Sequence, residues 1–173
     1  MTDQGDWTTG LDIRIARTDE DVAAHHRVRE AVFVTEQNIF VDHDRDQWDD
    51  DAVKVVARLG DDVVGAVRLY PIDEAGLWKG DRLAVLAEAR TLGVGAPLVR
   101  FAVATAGQMG GARMIALIQR PNVPFFHRLG WSRIGDATSY RGATHQEMTI
   151  ALSGAQPAFA PAGYRWAFGG SAA

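Results

Sequence analysis

An α/β domain is the fold class predicted by three features of the 173-residue chain. Apolar residues alternate with polar ones in several short runs, as in half-buried strands. They recur at helical spacing in two longer stretches. One unbroken apolar run, Met114 to Ile118, follows the second helical stretch and is short enough for a strand buried on both faces. With 47% apolar residues, the chain can close one core without metal or disulfide staples.

Leu11, Ile13 and Ile15 alternate with polar residues and predict the first strand. Asp19 offers an N-cap, and Glu20 and Asp21 suit the positive end of the following helix, which runs to about Glu36. An acidic loop spans Asp42 to Asp51. Val53, Val55, Ala57 and Leu59 predict a strand, Gly60-Asp61-Asp62 a hairpin turn, and Val63 to Tyr70 the returning strand. Pro71 to Gly76 turns into a strand that ends near Val85. A helix with Pro97 in its first turn carries Leu98, Phe101, Ala102 and Ala106 to a Gly110-Gly111 stop. After Met114–Ile118, a brief helix spans Asn122 to Leu129, and strands near Trp131–Ser139 and His145–Leu152 close the domain. Residues 1–10 are expected to be a flexible N-terminus, and residues 11–152 the domain. The Ala/Pro/Gly-rich tail, 153–173, carries Phe159, Tyr164, Trp166 and Phe168 and is either disordered or packed on this subunit or a neighbour.

Composition removes several function classes. The absence of cysteine excludes a disulfide framework, a thiol nucleophile and thiolate metal sites. No apolar run approaches the ~20 residues that span a bilayer, and Met1–Gly10 lacks the marks of a secretory signal. A cytoplasmic protein without a membrane partner is expected. A net charge of −4 argues against a general nucleic-acid binder. That figure averages two unlike parts: 14 acidic and 5 basic residues up to Asp51, then 8 acidic and 13 basic.

The segment Arg90-Thr91-Leu92-Gly93-Val94-Gly95-Ala96 lies between a strand and a helix N-terminus. Glycines there admit a ligand close to backbone N–H groups, the helix dipole favours an anion, and Arg90 adds a cation. A pyrophosphate fits this description. No Gly-Lys-Ser/Thr follows, which excludes a P-loop, and Leu98 stands where a dinucleotide fingerprint needs its third glycine.

Arg-x-x-Gly-x-Gly, a helix, an apolar strand, Asn122 and Phe125-Phe126-His-Arg-Leu-Gly130-Trp131 together resemble the GNAT acyltransferase superfamily over roughly Asp12 to Leu152. The resemblance implies a GNAT fold, a mixed splayed β-sheet with helices on both faces. It implies acetyl-CoA as cosubstrate, with no metal. The glycine loop would hold the pyrophosphate, and the backbone of Leu83, Ala84 and Val85 the pantetheine arm, with Asn122 and Phe126 beside the cofactor. The family usually has tyrosine at position 126 as the acid that protonates the departing thiolate. Phe126 cannot do so, although a thiol pKa of about 8.5 makes the thiolate a tolerable leaving group.

A second signature, Arg29-Glu-Ala-Val-Phe33-Val-Thr-Glu36-Gln37 followed by Asp46-Gln-Trp-Asp49, resembles the nitrogen-starvation-associated N-acetyltransferase subgroup. Trp78-Lys-Gly80-Asp81-Arg82 and Gly142-x-x-His145-x-x-Met148 fit the same subgroup. The spacing of Arg29, Phe33, Asp46, Asp49 and Arg68 is also similar to acyl-homoserine-lactone synthases. A calcium loop starting at Asp42 fails, because Gln47 stands for the required glycine and Val53 for the glutamate.

Catalytic candidates are Glu36, Asp46, Asp49, Asp81 and His145. Glu36 is either a general base or a salt-bridge partner. Asp46 and Asp49 would help take the acceptor proton, while Asp42, Asp44, Asp50 and Asp51 serve solubility. His145, on the same strand face as Glu147, is either a base near neutral pH or a structural histidine. Acceptor-binding candidates are Arg29, Phe33, Arg68 and Trp78; the two arginines either pair with Asp46 or Asp49 or bind an acceptor carboxylate. The expected partner is a small-molecule amine, cationic in view of the acidic loop, and a homodimer is compatible with the aromatic tail. A domain that binds acyl-CoA without catalysis is the rival from another class, with Phe126 as its support.

Overall fold

A computed structural model describes residues 10–153; the tail and nearly all of the N-terminal segment lie outside the described residues. Eight strands, β1 (Leu11–Ile15), β2 (Val53–Leu59), β3 (Asp62–Pro71), β4 (Leu77–Val85), β5 (Arg113–Gln119), β6 (Ser132–Arg133), β7 (Thr138–Tyr140) and β8 (Ala143–Ala151), form one sheet. Its order is β1-β2-β3-β4-β5-β8-β6, with β7 paired to β8. Three α-helices, α1 (Asp19–Arg29), α2 (Gly95–Gln108) and α3 (Val123–Arg128), complete it.

Every strand pair is antiparallel except β4–β5. A parallel pair needs a crossover, which α2 supplies. Although β4 has nine residues and β5 seven, they pair only over Leu77–Lys79 and Arg113–Ile115. Beyond Lys79 the two strands part, and the sheet opens into a wedge. Met114, Ala116 and Ile118 are buried, but Arg113 and Leu117 are exposed. The expected burial of this strand on both faces is therefore corrected: the face of Ile115, Leu117 and Gln119 is only partly covered.

Helices pack on both faces, as the alternation of β3 requires. Val67 and Leu69 meet Leu98, Phe101 and Ala102 in the larger core, whereas Ala66 meets Val28, Val32 and Ala84 in the smaller one. Trp78 belongs to the larger core and is 4% exposed.

Two local departures shape the wedge. The first helix is capped one residue earlier than expected, by Thr18, whose Oγ1 accepts from the Asp21 amide at 3.1 Å. Its α-geometry stops at Arg29, not near Glu36, and Glu30–Glu36 continues as a π-helical turn. There the Gln37 amide donates to the Val32 carbonyl at 2.9 Å, five residues back. The wider turn brings Phe33 and Gln37 to the wedge. In β4, Arg68 opposes Asp81 and Ala66 opposes Ala84, so Val67 faces both Arg82 and Leu83 across a bulge. Arg82 has φ +52°, a left-handed value for a non-glycine strand residue.

Candidate active site

The wedge encloses a cavity of about 280 Å³. Of the residues predicted for the site, Phe33, Asp81, Leu83, Asn122, Phe126 and His145 line it. Gln37, Phe40, Lys79, Arg82, Trp131, Tyr140 and Arg141 also line it and were not anticipated.

Arg29 and Arg68 do not reach the cavity. Both side chains are fully buried and surrounded by carboxylates. Arg29 Nε donates to Asp44 Oδ2 at 2.8 Å, and its Nη1 and Nη2 donate to the two Asp49 oxygens at 2.6 and 3.1 Å. Arg68 Nε and Nη2 grip Asp81 at 2.7 Å each, while Nη1 and Nη2 reach Asp46 at 2.6 and 3.1 Å. Arg82 adds contacts to Asp44 at 3.1 Å and Asp46 at 3.3 Å. Tyr70 Oη donates to Asp81 Oδ2 at 3.2 Å, and Trp48 stacks on Tyr70 with centroids 4.8 Å apart. Arg29 and Arg68 are thus architectural: they tie the loop after the first helix to β3 and β4.

The same lattice removes three expected bases. Burial pushes the Asp49 carboxyl upward, but hydrogen bonds from Arg29 and the Asp46 amide, with the charges of Arg29 and Arg68, hold it well below the carboxylate range. Asp46 behaves alike: burial is outweighed by the hydrogen bond and charge of Arg68. Asp81 lines the cavity, yet both its oxygens are taken by Arg68. Glu36 pairs with Arg90 through both oxygens, and that guanidinium lowers its pKa. A carboxylate held ionised by arginines is a poor proton acceptor. The expectation that these aspartates recruit a cationic acceptor loses its ground for the same reason. Asp44, assigned to solubility, is fully buried on Arg29 and Arg82. Trp78, expected at the acceptor, faces α2 because strand alternation turns it away from Asp81.

His25 was missed and completes the lattice. Its Nδ1 donates to the Val55 carbonyl at 3.0 Å, so Nε2 carries the lone pair and accepts from Arg29 Nη1 at 3.2 Å. Burial and then the Arg29 charge push its pKa from 6.5 down to about 3, and burial with Arg29 pushes His26 down to about 4. The folded protein keeps both neutral, whereas the unfolded chain binds protons below about pH 6.5. Stability is therefore complete at neutral pH and declines as pH falls from there towards 3. Each histidine contributes a loss of about 2 kcal/mol between pH 7 and pH 5. Thermal unfolding should drop by about 10 °C over that range; a flat profile would contradict the buried-neutral assignment.

His145 remains as the chemically free group. It lies on β8 and is 7% exposed, while Glu147, on the same face, is exposed. Its Nδ1 donates to the Ala143 carbonyl at 3.0 Å, which leaves Nε2 with a lone pair and no protein partner among the described residues.

The glycine loop enters α2 as expected. The 3₁₀ turn Ala87–Leu92 ends at Gly93, whose φ of +72° favours glycine, and buried Val94 anchors the turn in the core. Thr91, Leu92 and Gly93 are exposed, and a Cβ on Gly93 would meet nothing within 4 Å. Gly95 and Ala96 occupy the first helical turn, where backbone N–H groups have no acceptor inside the helix. Arg90 also donates to the Val85 carbonyl at 3.1 Å, and Ala84 and Val85 continue β4 below it. Val99 and Ala102 of α2 line the cavity, so one helix joins the loop to the wedge.

A family model described as acetyltransferase (GNAT) family matches residues 20–131. The chain belongs to the GNAT acetyltransferase family. The chain is 32% identical over 117 residues to the uncharacterized N-acetyltransferase YjcF of Bacillus subtilis (strain 168), covering 68% of this chain and 82% of that protein. Its fold is that of a crystal structure from Lactobacillus plantarum, with TM-score 0.76, 24% identity, and coverage of 83% and 99% of the two chains. It is also that of BjaI, a CoA-dependent acyl-homoserine lactone synthase solved with SAM and isopentyl-CoA. There the TM-score is 0.67 at 23% identity, covering 78% of this chain and 77% of that one. Phe126, at the position where the resemblance implies a tyrosine, is 5% exposed and packs edge-to-face on Phe125 and Trp131, with centroids 5.4 Å from each. No helix among the described residues is long and apolar enough to cross a membrane, and no cluster there could hold a metal ion.

Proposed function

We propose that this GNAT enzyme is an N-acetyltransferase that moves the acetyl group of acetyl-CoA directly to the amine of a small-molecule acceptor. The observation that carries the reading is the opening of β4 from β5 next to an unpaired helix entrance rich in glycine. The residues fit a pyrophosphate-bearing thioester. The loop is open above Gly93, the first-turn amides of α2 are free to donate, and the bulge at Arg82–Leu83 breaks the regular ladder beside the cavity.

Acetyl-CoA, when bound, supplies an activated carbonyl. His145 Nε2 takes the proton of the acceptor amine, directly or through one water. Backbone N–H groups at the β4 bulge oppose the charge that develops on the carbonyl oxygen. Phe33, Phe126 and Trp131 keep bulk water from the wedge. The acceptor nitrogen forms the amide bond as the C–S bond breaks, and the proton lost from nitrogen ends on the departing sulfur. With Phe126 in place of a hydroxyl donor, solvent returns that proton. A chain without cysteine forms no covalent thioester of its own, which supports transfer in a ternary complex. The Arg29–Gln37 motif supports a place in the nitrogen-starvation-associated branch.

Replacing His145 by glutamine should lower kcat about 10²–10⁴-fold and leave the KM for acetyl-CoA unchanged. Thiol release from acetyl-CoA across a panel of primary amines is the parent assay; unaltered kcat in the variant would remove His145 from the mechanism.

A further inference from the structure

Resting on the acetyltransferase reading, we infer that the acceptor carries a carboxylate beside its amine and that Arg141 is the residue that recognises it. The charged groups around the cavity are unequal. Lys79, Arg82 and Arg141 line it against one carboxylate, Asp81, which Arg68 and Tyr70 already occupy. A small amine entering this wedge therefore meets a surplus of positive charge. A second, anionic group on the acceptor offsets that repulsion.

Arg82 is engaged by Asp44 and Asp46, whereas Arg141 has no ion-pair partner among the described residues. Lys79 also lacks an ion-pair partner among the described residues, but Arg141 differs from it in the contacts that hold its side chain. Its Nε donates to Tyr140 Oη at 3.1 Å, and its guanidinium carbon lies 4.2 Å from the Phe40 ring centroid. Arg82 approaches the same ring at 4.7 Å, so the aromatic face steadies two guanidinium groups. These contacts orient the planar fork and leave its Nη edge for a planar anion, the geometry in which arginine takes a carboxylate.

The backbone points the same way. Arg141 and Gly142 are the two central residues of the β7–β8 hairpin, with φ of +49° and +78°. Asparagine, aspartate or glycine is preferred at the first of these positions, and arginine there is strained. Tyr140, next to Arg141, packs edge-to-face on His145 with centroids 5.5 Å apart. The hairpin thus presents a base for the amine and a cation for the carboxylate at one wall of one cavity. Free amino acids and close relatives have this pairing of groups.

The test compares each amino acid with its decarboxylated amine as acceptor: phenylalanine with phenethylamine, methionine with 3-(methylthio)propylamine, and β-alanine with ethylamine. A phenylalanyl-glycine arm separates a free amino acid from a peptide N-terminus. A second readout is the thermal shift given by the N-acetylated products of each pair in the presence of CoA. The expected result is a preference of tenfold or more for the carboxylate member of at least one pair, in kcat/KM and in product binding. Arg141→Gln should erase it through acceptor KM, with the KM for acetyl-CoA unchanged, and Arg141→Lys should restore part. Equal treatment of both members in every pair, a faster reaction with the dipeptide, or a preference that survives Arg141→Gln overturns the inference. If acetyl-CoA itself raises the unfolding temperature while no pair is distinguished, the inference falls and the acetyltransferase reading stands. If acetyl-CoA gives no shift, that reading falls and takes the inference with it.

Discussion

Arg29→Met is expected to destabilise the fold by about 3–5 kcal/mol, as removal of one partner from a buried ion pair does. The side chain is fully buried and donates to both Asp44 and Asp49. Removing it leaves Asp44 with only Arg82, and Asp49 with Arg68 at 3.1 Å and the Asp46 amide at 3.0 Å. Asp44 Oδ1 already lacks a hydrogen-bond partner, so little remains to compensate it. In a chain of this size the loss corresponds to about 10 °C in unfolding temperature. Adding Asp44→Asn to the variant should recover part of it, because the uncompensated buried charge goes with it. At temperatures where the variant is folded, acceptor KM should be unaltered. A stable Arg29→Met protein with a raised acceptor KM would return Arg29 to the substrate.

Gly95→Asp is expected to do the reverse, sparing the fold and weakening acetyl-CoA. A Cβ at Gly95 would make only an ordinary contact, 3.5 Å from Phe125 Cζ. A carboxylate in the first turn of α2 suits the helix dipole, so the unfolding temperature should hold or rise slightly. The same carboxylate would occupy the helix amides and repel a pyrophosphate. A rise of about 100-fold in Kd for acetyl-CoA corresponds to about 3 kcal/mol. Gly95→Ala, lacking the charge, should change affinity far less. Equal affinity in Gly95→Asp and the parent would place the cofactor elsewhere.

These two variants mark what the sequence carries and what it conceals. The glycine loop is legible because its demand is local: a strand end, a helix start and glycines between them. The strands from Val53 to Val85 are legible by alternation, and so is the crossover helix with Pro97. The ion lattice is only half legible. Arg29 sits inside an apolar helical stripe and Arg68 inside an apolar strand, so both require buried counter-charges. Which aspartates turn inward depends on the loop backbone, where Asp42 takes φ +65°, and so Asp44 was passed over. The bulge at Arg82 and the turn at Arg141 have no composition signal, since both place arginine where glycine or asparagine is expected. The π-helical turn is equally silent, because its residues also suit an α-helix. Long-range packing, not local propensity, decides those positions, and they border the cavity.

Amide hydrogen exchange with and without saturating acetyl-CoA tests the central claim most directly. Binding at the helix entrance and the β4 bulge predicts slowed exchange at Gly93–Ala96 and at the wedge-facing segment Arg82–Val85. Both effects should vanish in Gly95→Asp. Absence of protection in these two segments, or protection confined to other surfaces, would contradict the account.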